Sequence, residues 1–292
     1  MSKRTTSLSA ASSGRFPLGG ELTVNRLGFG AMRLTGGGVW GPPKDPAKAI
    51  AVLRRAIELG INFIDTADSY GPNVSEELIA EALAPYPKDL VIATKGGWNR
   101  PGPNQWTHDA SPAHLREAVE GSLKRLRLDR IDVYQLHVPD PVVPLDASIE
   151  TLANMQAEGK IRFVALSNVT VEHIERARRI VPIVSVQNRY SFADREWDHV
   201  VDYCERNGIA FIPWFPLGAG TVAGRLLERI ASVRQAKPIQ IALAWLLKRS
   251  QVMLPIPGTS SIAHLEENVQ AAALQLSEEE YLELTGIVEL AS

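Results

Sequence analysis

Four polar residues with complementary chemistry stand at the ends of three predicted β-strands. Asp65 lies at the end of the first of these strands, and Tyr70 comes five residues later in the adjoining loop. Lys95 ends the second strand and His137 ends the third. A lysine ammonium beside a phenol lowers the pKa of tyrosine from its usual value of about 10. Asp65 would keep that lysine charged, and His137 could donate to a substrate oxygen or help shuttle the proton. The constellation predicts a proton donor for a carbonyl oxygen during reduction.

Taken singly, each of these residues also has an ordinary structural interpretation. An aspartate at a strand end commonly caps a helix or forms an ion pair, and a lysine nearby is its usual partner. A tyrosine in a loop often packs locally, and a histidine at a strand end is often a satisfied rim residue. The functional interpretation rests on the four residues occurring together at successive strand ends.

The elements that would position these residues alternate between short β-rich runs and amphipathic stretches from about residue 27 onward. Eight strands are predicted, at residues 27–34, 62–66, 90–95, 131–137, 161–167, 183–188, 210–215 and 252–257. Helices are predicted near residues 46–59, 75–84, 112–126, 146–158, 171–180, 197–207, 222–248, 262–272 and 278–289. Eight right-handed βα units close most simply into an α/β fold, the (β/α)₈ TIM barrel, in which the strand ends share one mouth.

The two ends of the chain carry additional features. Residues 1–15 are basic and Ser-rich and are expected to be a disordered tail, and residues 16–292 are expected to form a single barrel domain. Two short strands about Gly19 and Gly20 predict an N-terminal β-hairpin that closes the bottom of the barrel. Ser277 with Glu280 forms a capping box that predicts an extra C-terminal helix.

Composition narrows the class of partner. The chain has 292 residues, 45% of them hydrophobic, and a formal charge of −2, so no global basic field would recruit nucleic acid or an anionic membrane. No segment approaches the roughly 18 to 20 apolar residues of a membrane span. The single cysteine, Cys204, excludes an intrachain disulfide, and the six histidines are scattered without an HxH pair. We therefore expect a cytoplasmic protein that binds a small molecule and no metal.

An open dinucleotide-binding sheet is the rival architecture. The first strand runs into Gly28-Phe-Gly-Ala-Met-Arg33, which lacks the third glycine of the phosphate fingerprint. Gly218-Ala-Gly-Thr-Val-Ala223 does satisfy a GxGxxA pattern, but only one further strand follows it, too few for such a sheet. The barrel remains the better prediction.

Seven segments carry a family resemblance, in chain order over residues 18–275. They are Phe63-Ile-Asp-Thr-Ala-Asp-Ser-Tyr-Gly71, Ile92-Ala-Thr-Lys95, Asp132-Val-Tyr-Gln-Leu-His137, Ala165-Leu-Ser-Asn168, Val186-Gln-Asn188, Pro213-Trp-Phe-Pro-Leu-Gly218 and Ile256-Pro-Gly-Thr-Ser-Ser261. In these segments the chain resembles the aldo-keto reductases. The resemblance implies reversible hydride transfer between a nicotinamide cofactor, usually NADP(H), and an aldehyde or ketone. It also implies Tyr70 as the acid, supported by the other three residues.

The resemblance assigns cofactor contacts residue by residue. Ser167, Asn168 and Gln187 match residues that hydrogen-bond the nicotinamide carboxamide, and Trp214 matches the aromatic ring stacked on the nicotinamide. The loop over the pyrophosphate is matched by Leu217, Gly218 and Gly220. The adenosine end is matched by Gly258, Thr259, Ser260, Ser261, His264, Glu267 and Asn268.

The adenosine segment departs from the family pattern at two positions. Gly258 stands where many members have lysine, and His264 stands where many have arginine. Two cations that would pair with a 2′-phosphate are therefore missing. Hydroxyl and amide groups near a helix N-terminus could still bind that phosphate. NADPH is the expected cofactor, and use of NADH stays open.

The substrate pocket is expected in the mouth loops, with Met32, Trp40 and Trp98 on its wall and Trp106 as a further candidate. The short C-terminus predicts an open pocket. Within the family, the chain resembles bacterial members related to pyridoxal reductase, which makes pyridoxal one expected aldehyde. The alternative on the same fold is a nucleotide-binding regulatory subunit with little turnover, similar to potassium-channel β-subunits.

Overall fold

A computed structural model describes residues 8–216 and 221–289 of the chain. Its strands are β1 (Arg15–Leu18), β2 (Leu22–Asn25), β3 (Phe29–Gly30), β4 (Phe63–Asp65), β5 (Val91–Gly96), β6 (Trp98–Gly102), β7 (Gln105–His108), β8 (Ile131–Leu136), β9 (Ile161–Ser167), β10 (Ile183–Arg189) and β11 (Ala210–Trp214). Its α-helices are α1 (Pro46–Glu58), α2 (Val74–Leu83), α3 (Pro112–Leu126), α4 (Leu145–Ala157), α5 (Val171–Arg178), α6 (Asp198–Asn207), α7 (Thr221–Arg234), α8 (Pro238–Arg249), α9 (Ile262–Gln270) and α10 (Glu278–Glu289).

The predicted (β/α)₈ barrel is confirmed. Seven strands form one parallel sheet in the order β3-β4-β5-β8-β9-β10-β11. The segment after α8 fills the eighth position, because Leu254 N–H donates to the Phe211 carbonyl at 2.8 Å and Gly28 N–H donates to the Pro255 carbonyl at 3.0 Å. The predicted strand at 252–257 is thus present as a hydrogen-bonded segment and not as a regular strand, since Pro255 and Pro257 have no N–H to donate.

Helix starts follow the side chains expected to cap them. The Asp45 carboxylate accepts from Lys48 N–H at 3.0 Å just before α1, and the Ser111 hydroxyl accepts from His114 N–H at 3.3 Å just before α3. A proline stands at the first position of both α1 and α3, where a missing N–H costs no helical hydrogen bond. These caps fix where each helix leaves the mouth of the barrel. Within the described residues, no helix is both long and apolar enough to cross a membrane.

The N-terminal hairpin closes the bottom of the barrel as predicted. β1 pairs antiparallel with β2, and Phe16, Leu18 and Val24 are buried in the main core. Gly19 turns the chain with a φ of +61°, and a Cβ there would lie 2.6 Å from the Phe163 ring at the start of β9. The tight approach and the positive φ together require glycine at this turn.

The disordered tail predicted for residues 1–15 extends too far along the chain, because residues 10–13 have a defined structure. Ala10–Ser13 forms a 3₁₀ turn, and Ala10 is fully buried with its N–H donating to the Leu59 carbonyl at 2.8 Å. The Ser13 hydroxyl also accepts from Leu27 N–H at 3.0 Å. Small residues and hydroxyls let this segment pack against the end of α1. Residues 1–7 lie outside the described part of the chain.

Three further elements differ from the sequence prediction. The helix predicted at 222–248 is two helices, α7 and α8, because Gln235 adopts a φ of +52° and Pro238 starts a new helix. The first predicted strand is shorter, since Ala31–Leu34 forms a 3₁₀ turn. The antiparallel hairpin of β6 and β7 is not predicted at all. The C-terminal helix is confirmed with its capping box, in which Glu280 N–H donates to the Ser277 hydroxyl at 3.1 Å.

Candidate active site

A cavity of about 570 Å³ opens at the carboxyl ends of the barrel strands. This is the face of such a barrel where loops gather functional side chains. Its lining residues are Gly30, Met32, Arg33, Asp65, Tyr70, Trp98, Trp106, His137, Ser167, Asn168, Gln187, Trp214, Phe215, Pro216, Ile256 and Gly258.

A buried ion pair forms the floor of this cavity. Lys95 Nζ lies 2.6 Å from Asp65 Oδ2 and donates to the Thr66 carbonyl at 2.8 Å, and both charged side chains are almost completely buried. The second oxygen of Asp65 accepts hydrogen bonds from the amides of Gln135 and Gln187, each at 2.8 Å. Such a fully paired carboxylate holds the ammonium in one position.

Gln135 is the residue of this cluster that sequence reasoning missed. It lies on β8 two residues before His137, so its side chain points to the same interior face. Gln187 has a different environment from the one the family resemblance implies. Its amide nitrogen donates to Asp65 and to Gln135 Oε1, at 2.8 and 3.2 Å, so that nitrogen is already engaged inside the protein.

The Tyr70 hydroxyl is 3.3 Å from Lys95 Nζ and lies on the cavity wall. Burial raises the pKa of Tyr70, and the charge of Lys95 offsets this only in part, while Asp65 adds to the rise. The expectation of a lowered tyrosine pKa therefore fails in direction, because burial disfavours the phenolate more than the ammonium stabilises it. Burial lowers the pKa of Lys95, but Asp65 and Tyr70 together raise that pKa by more, and the net direction is upward. The cluster thus holds a neutral phenol beside a charged ammonium.

His137 lines the same cavity and lies next to Tyr70. Its ring meets the Tyr70 ring edge-on at a centroid distance of 5.9 Å. Burial, and then the charge of Lys95, lower the pKa of His137 well below its ordinary value. The imidazole is therefore neutral at neutral pH and carries one N–H. Nδ1 lies 3.5 Å from the Ser69 hydroxyl.

The residues assigned to the nicotinamide form a connected group on the next strand ends. Asn168 has a φ of +57° and donates to the His137 carbonyl at 3.0 Å and to the Ser167 hydroxyl at 3.1 Å. Trp214 donates from its indole N–H to Asn168 Oδ1 at 3.0 Å. The structure brings these side chains to the same cavity as Tyr70. Leu217, Gly218 and Gly220 lie outside the described residues.

The segment assigned to the adenosine end is partly in the cavity. Gly258 lines it, and a Cβ at this position would lie 2.5 Å from the Gly30 carbonyl. A lysine at 258 would therefore require the backbone to move. Thr259 is buried, and its hydroxyl accepts from Ser261 N–H at 3.1 Å, just before α9.

Other residues of that segment lie on α9. Asn268 is buried, and its Oδ1 has no hydrogen-bond partner among the described residues. Glu267 forms an ion pair with Lys237, and His264 is exposed. A buried amide oxygen without a partner is a group that a ligand could satisfy.

The outer wall of the cavity is aromatic. Met32, Trp98 and Trp106 line it, while Trp40 does not and instead lies against the side chain of Arg100. Two of these aromatic residues belong to the unpredicted β6–β7 hairpin, which starts two residues after the end of β5, the strand that includes Lys95. Of the three residues expected on the wall, Met32 and Trp98 therefore lie on it and Trp40 lies behind it.

Comparisons with known proteins agree with this geometry. A family model described as the aldo/keto reductase family matches residues 26–289. An uncharacterised oxidoreductase of Schizosaccharomyces pombe is 53% identical over 267 residues, which cover 91% of this chain and 87% of that protein. Pyridoxine 4-dehydrogenase of Escherichia coli is 48% identical over 283 residues, covering 94% and 99%. A solved aldo-keto reductase of Klebsiella pneumoniae, in complex with NADPH, has a TM-score of 0.78 at 26% identity and 94% coverage of both chains.

Proposed function

Since the chain belongs to the aldo/keto reductase family and is an oxidoreductase, we propose that it transfers hydride from NADPH to an aldehyde or ketone with Tyr70 as general acid. The observation that carries the proposal is the position of the Tyr70 hydroxyl. It lies on the cavity wall 3.3 Å from an ammonium that is itself fixed 2.6 Å from Asp65. That arrangement supplies a proton where a carbonyl oxygen gains negative charge.

Tyr70, Lys95 and His137 have separate roles in the proposed reaction. Tyr70 is protonated at neutral pH, since burial raises its pKa above the ordinary value of about 10. When hydride adds to the carbonyl carbon, the Tyr70 proton passes to the carbonyl oxygen, and Lys95 stabilises the phenolate that remains. Neutral His137 donates a hydrogen bond from its N–H to the same oxygen and keeps its proton. The phenolate then regains a proton from water, which restores the phenol.

The cofactor that fits the cavity is a nicotinamide dinucleotide, which supplies the hydride when bound. Trp214 offers a ring at the cavity wall, and the buried Asn268 oxygen offers an acceptor for an adenine amino group. Gly30 and Gly258 also line the cavity, where their backbones approach so closely that a Cβ at either position would obstruct the contact. We propose NADPH over NADH, with Thr259, Ser260 and Ser261 binding the 2′-phosphate through hydroxyls and amides.

The proposed substrate is an aromatic aldehyde, and pyridoxal is the first to test. Support comes from the aromatic wall of the cavity and from the 48% identity to pyridoxine 4-dehydrogenase. Purified protein mixed with NADPH and a panel of aldehydes should show loss of the reduced-nicotinamide absorbance, fastest with the aromatic members. NADH should support slower turnover at equal concentration. Absence of turnover with every aldehyde would reject the proposal and favour a regulatory nucleotide-binding role.

A further inference from the structure

Arg100 on the β6–β7 hairpin makes contacts that the proposed reaction does not require. Its guanidinium carbon lies 3.7 Å from the centroid of the Trp106 ring and 5.7 Å from that of Trp40. An arginine stacked on one indole and close to a second one fixes the orientation of both rings.

The same guanidinium joins three separate segments of the mouth. Nη1 donates to the Ser69 carbonyl at 2.7 Å, Nη2 donates to the Gly38 carbonyl at 3.0 Å, and Nε donates to the Gln105 carbonyl at 2.9 Å. Ser69 precedes Tyr70, Gly38 lies in the loop after β3, and Gln105 is in the hairpin itself. The planar fork of arginine serves all three acceptors at once, which a lysine ammonium on a flexible stem would not reproduce.

Residues next to Arg100 also lie close to His137. The Ser69 hydroxyl lies 3.5 Å from His137 Nδ1, and the rings of Trp98 and Trp106 approach the His137 ring at centroid distances of 6.3 and 6.5 Å. Trp98 and Trp106 also meet each other edge-on at 5.9 Å. The wall of the cavity is therefore a braced aromatic surface rather than a set of independent loops.

We propose that Arg100 is a positioning residue that holds the Trp98–Trp106 wall against His137, and that this fixed wall makes the site prefer aldehydes with a flat ring over flexible aliphatic ones. The inference rests on the proposed function. A rigid wall of indole rings favours a planar partner because ring pairs require defined offset or edge-on geometry. A flexible chain gains less from the same surface and loses more entropy on binding.

The kinetic test compares benzaldehyde with hexanal, an aromatic and a flexible aldehyde of similar size. In Arg100→Met, KM for benzaldehyde should rise about tenfold with kcat changed much less, while KM for hexanal should change less than about threefold. Arg100→Lys should behave like Arg100→Met, because charge alone does not restore the fork and the stack. The NADPH dissociation constant should stay within about twofold of the wild type.

Arg116→Met is the matched control, since Arg116 pairs with Glu158 on the outer surface of the barrel. It should leave both aldehydes unaffected. Equal losses for benzaldehyde and hexanal in Arg100→Met would overturn the specificity claim. Full activity in Arg100→Lys would show that only the charge matters, which would overturn the role given to the planar guanidinium.

A readout without turnover separates this inference from the proposed function. Amide hydrogen exchange of wild-type protein and Arg100→Met should differ at residues 98–108 and 36–41, with faster exchange in the variant and no change in the barrel strands. Unchanged exchange in those two segments would overturn the bracing role even if the protein proves inactive toward every aldehyde. If the wild type reduces no aldehyde but exchange changes as expected, the proposed function fails and the brace stands.

Discussion

At the scale of single residues, the site contains two buried charged groups, and each of them has partners. Lys95 is paired with Asp65, and Asp65 is satisfied by the two glutamine amides on its other oxygen. Removing one member of such a pair leaves an uncompensated buried charge, which typically costs about 3 to 5 kcal/mol of stability. Variants at Lys95 or Asp65 would therefore confound folding with catalysis, whereas Tyr70→Phe removes a single hydroxyl.

Asp68 is a buried carboxyl that the reaction does not use. Burial, and then the charge of Glu76, raise the pKa of Asp68 to about 8, and its Oδ1 has no hydrogen-bond partner among the described residues. The folded pKa is above the unfolded value of about 4, so the native protein holds a proton that the unfolded chain releases. The stability contributed by this proton is fully present below about pH 4 and is lost as pH rises through about pH 8.

We expect Asp68→Asn to remove this dependence, because asparagine has the same shape and does not ionise. The free energy of unfolding in urea should fall between about pH 5 and about pH 8 in the wild type and fall less in the variant. Asp129→Asn, at an exposed position, should retain the wild-type slope. Equal slopes in all three proteins would show that Asp68 is already ionised in the native state.

At the scale of elements, the sequence pattern predicted the alternating strands and helices. It did not predict the elements whose position depends on contacts between residues far apart in sequence. Strand and helix alternation, the bottom hairpin and the C-terminal helix follow from local patterning and caps, and all are present. The β6–β7 hairpin has a turn at Pro103 and Asn104 but no clear alternation of apolar residues. Arg100 connects it to Ser69 and Gly38, which lie far away in sequence. Such long-range pairing leaves no local signal.

For the candidate site too, the sequence predicted which residues meet but not the details that depend on packing. Asp65, Tyr70, Lys95 and His137 meet as expected because strand ends of a barrel share one mouth. The direction of the Tyr70 pKa was not predictable, since it depends on how deeply the phenol is buried. The engagement of Gln187 with Asp65 likewise depends on the interior packing of neighbouring strands.

The eighth segment of the barrel is held by a close backbone approach that can be tested. In Gly258→Ala, the new Cβ would lie 2.5 Å from the Gly30 carbonyl, so one backbone must shift. We expect a loss of about 1 to 3 kcal/mol in the free energy of unfolding, together with weaker NADPH binding measured by fluorescence titration. Gly224→Ala, on α7 with no atom of the described residues within 4 Å of the methyl group it would add, should be neutral or stabilising by up to about 1 kcal/mol. Wild-type stability and affinity in Gly258→Ala would contradict this view of the segment.

At the scale of the whole molecule, the barrel separates support from chemistry. The hairpin of β1 and β2 closes one end, and the ends of β4, β5 and β8 bring the reacting side chains to the other. Buried Tyr190 and Trp245 stack with partly buried Tyr281 and tie α8 and α10 to the strands, with successive ring centroids 6.2 and 6.0 Å apart. A rigid scaffold of this kind holds the Tyr70 hydroxyl in place before any substrate arrives, which is the condition for efficient proton transfer.

The most direct test of the central claim is a single-turnover comparison of wild-type protein and Tyr70→Phe, each saturated with NADPH and mixed with pyridoxal. The variant should bind NADPH with wild-type affinity, because the hydroxyl is needed for proton transfer and not for the cofactor. Its rate of nicotinamide oxidation should fall by about 10²- to 10⁴-fold, the range typical of a lost general acid. Oxidation of NADPH by Tyr70→Phe at the wild-type rate would contradict the role of Tyr70 and with it the proposed mechanism.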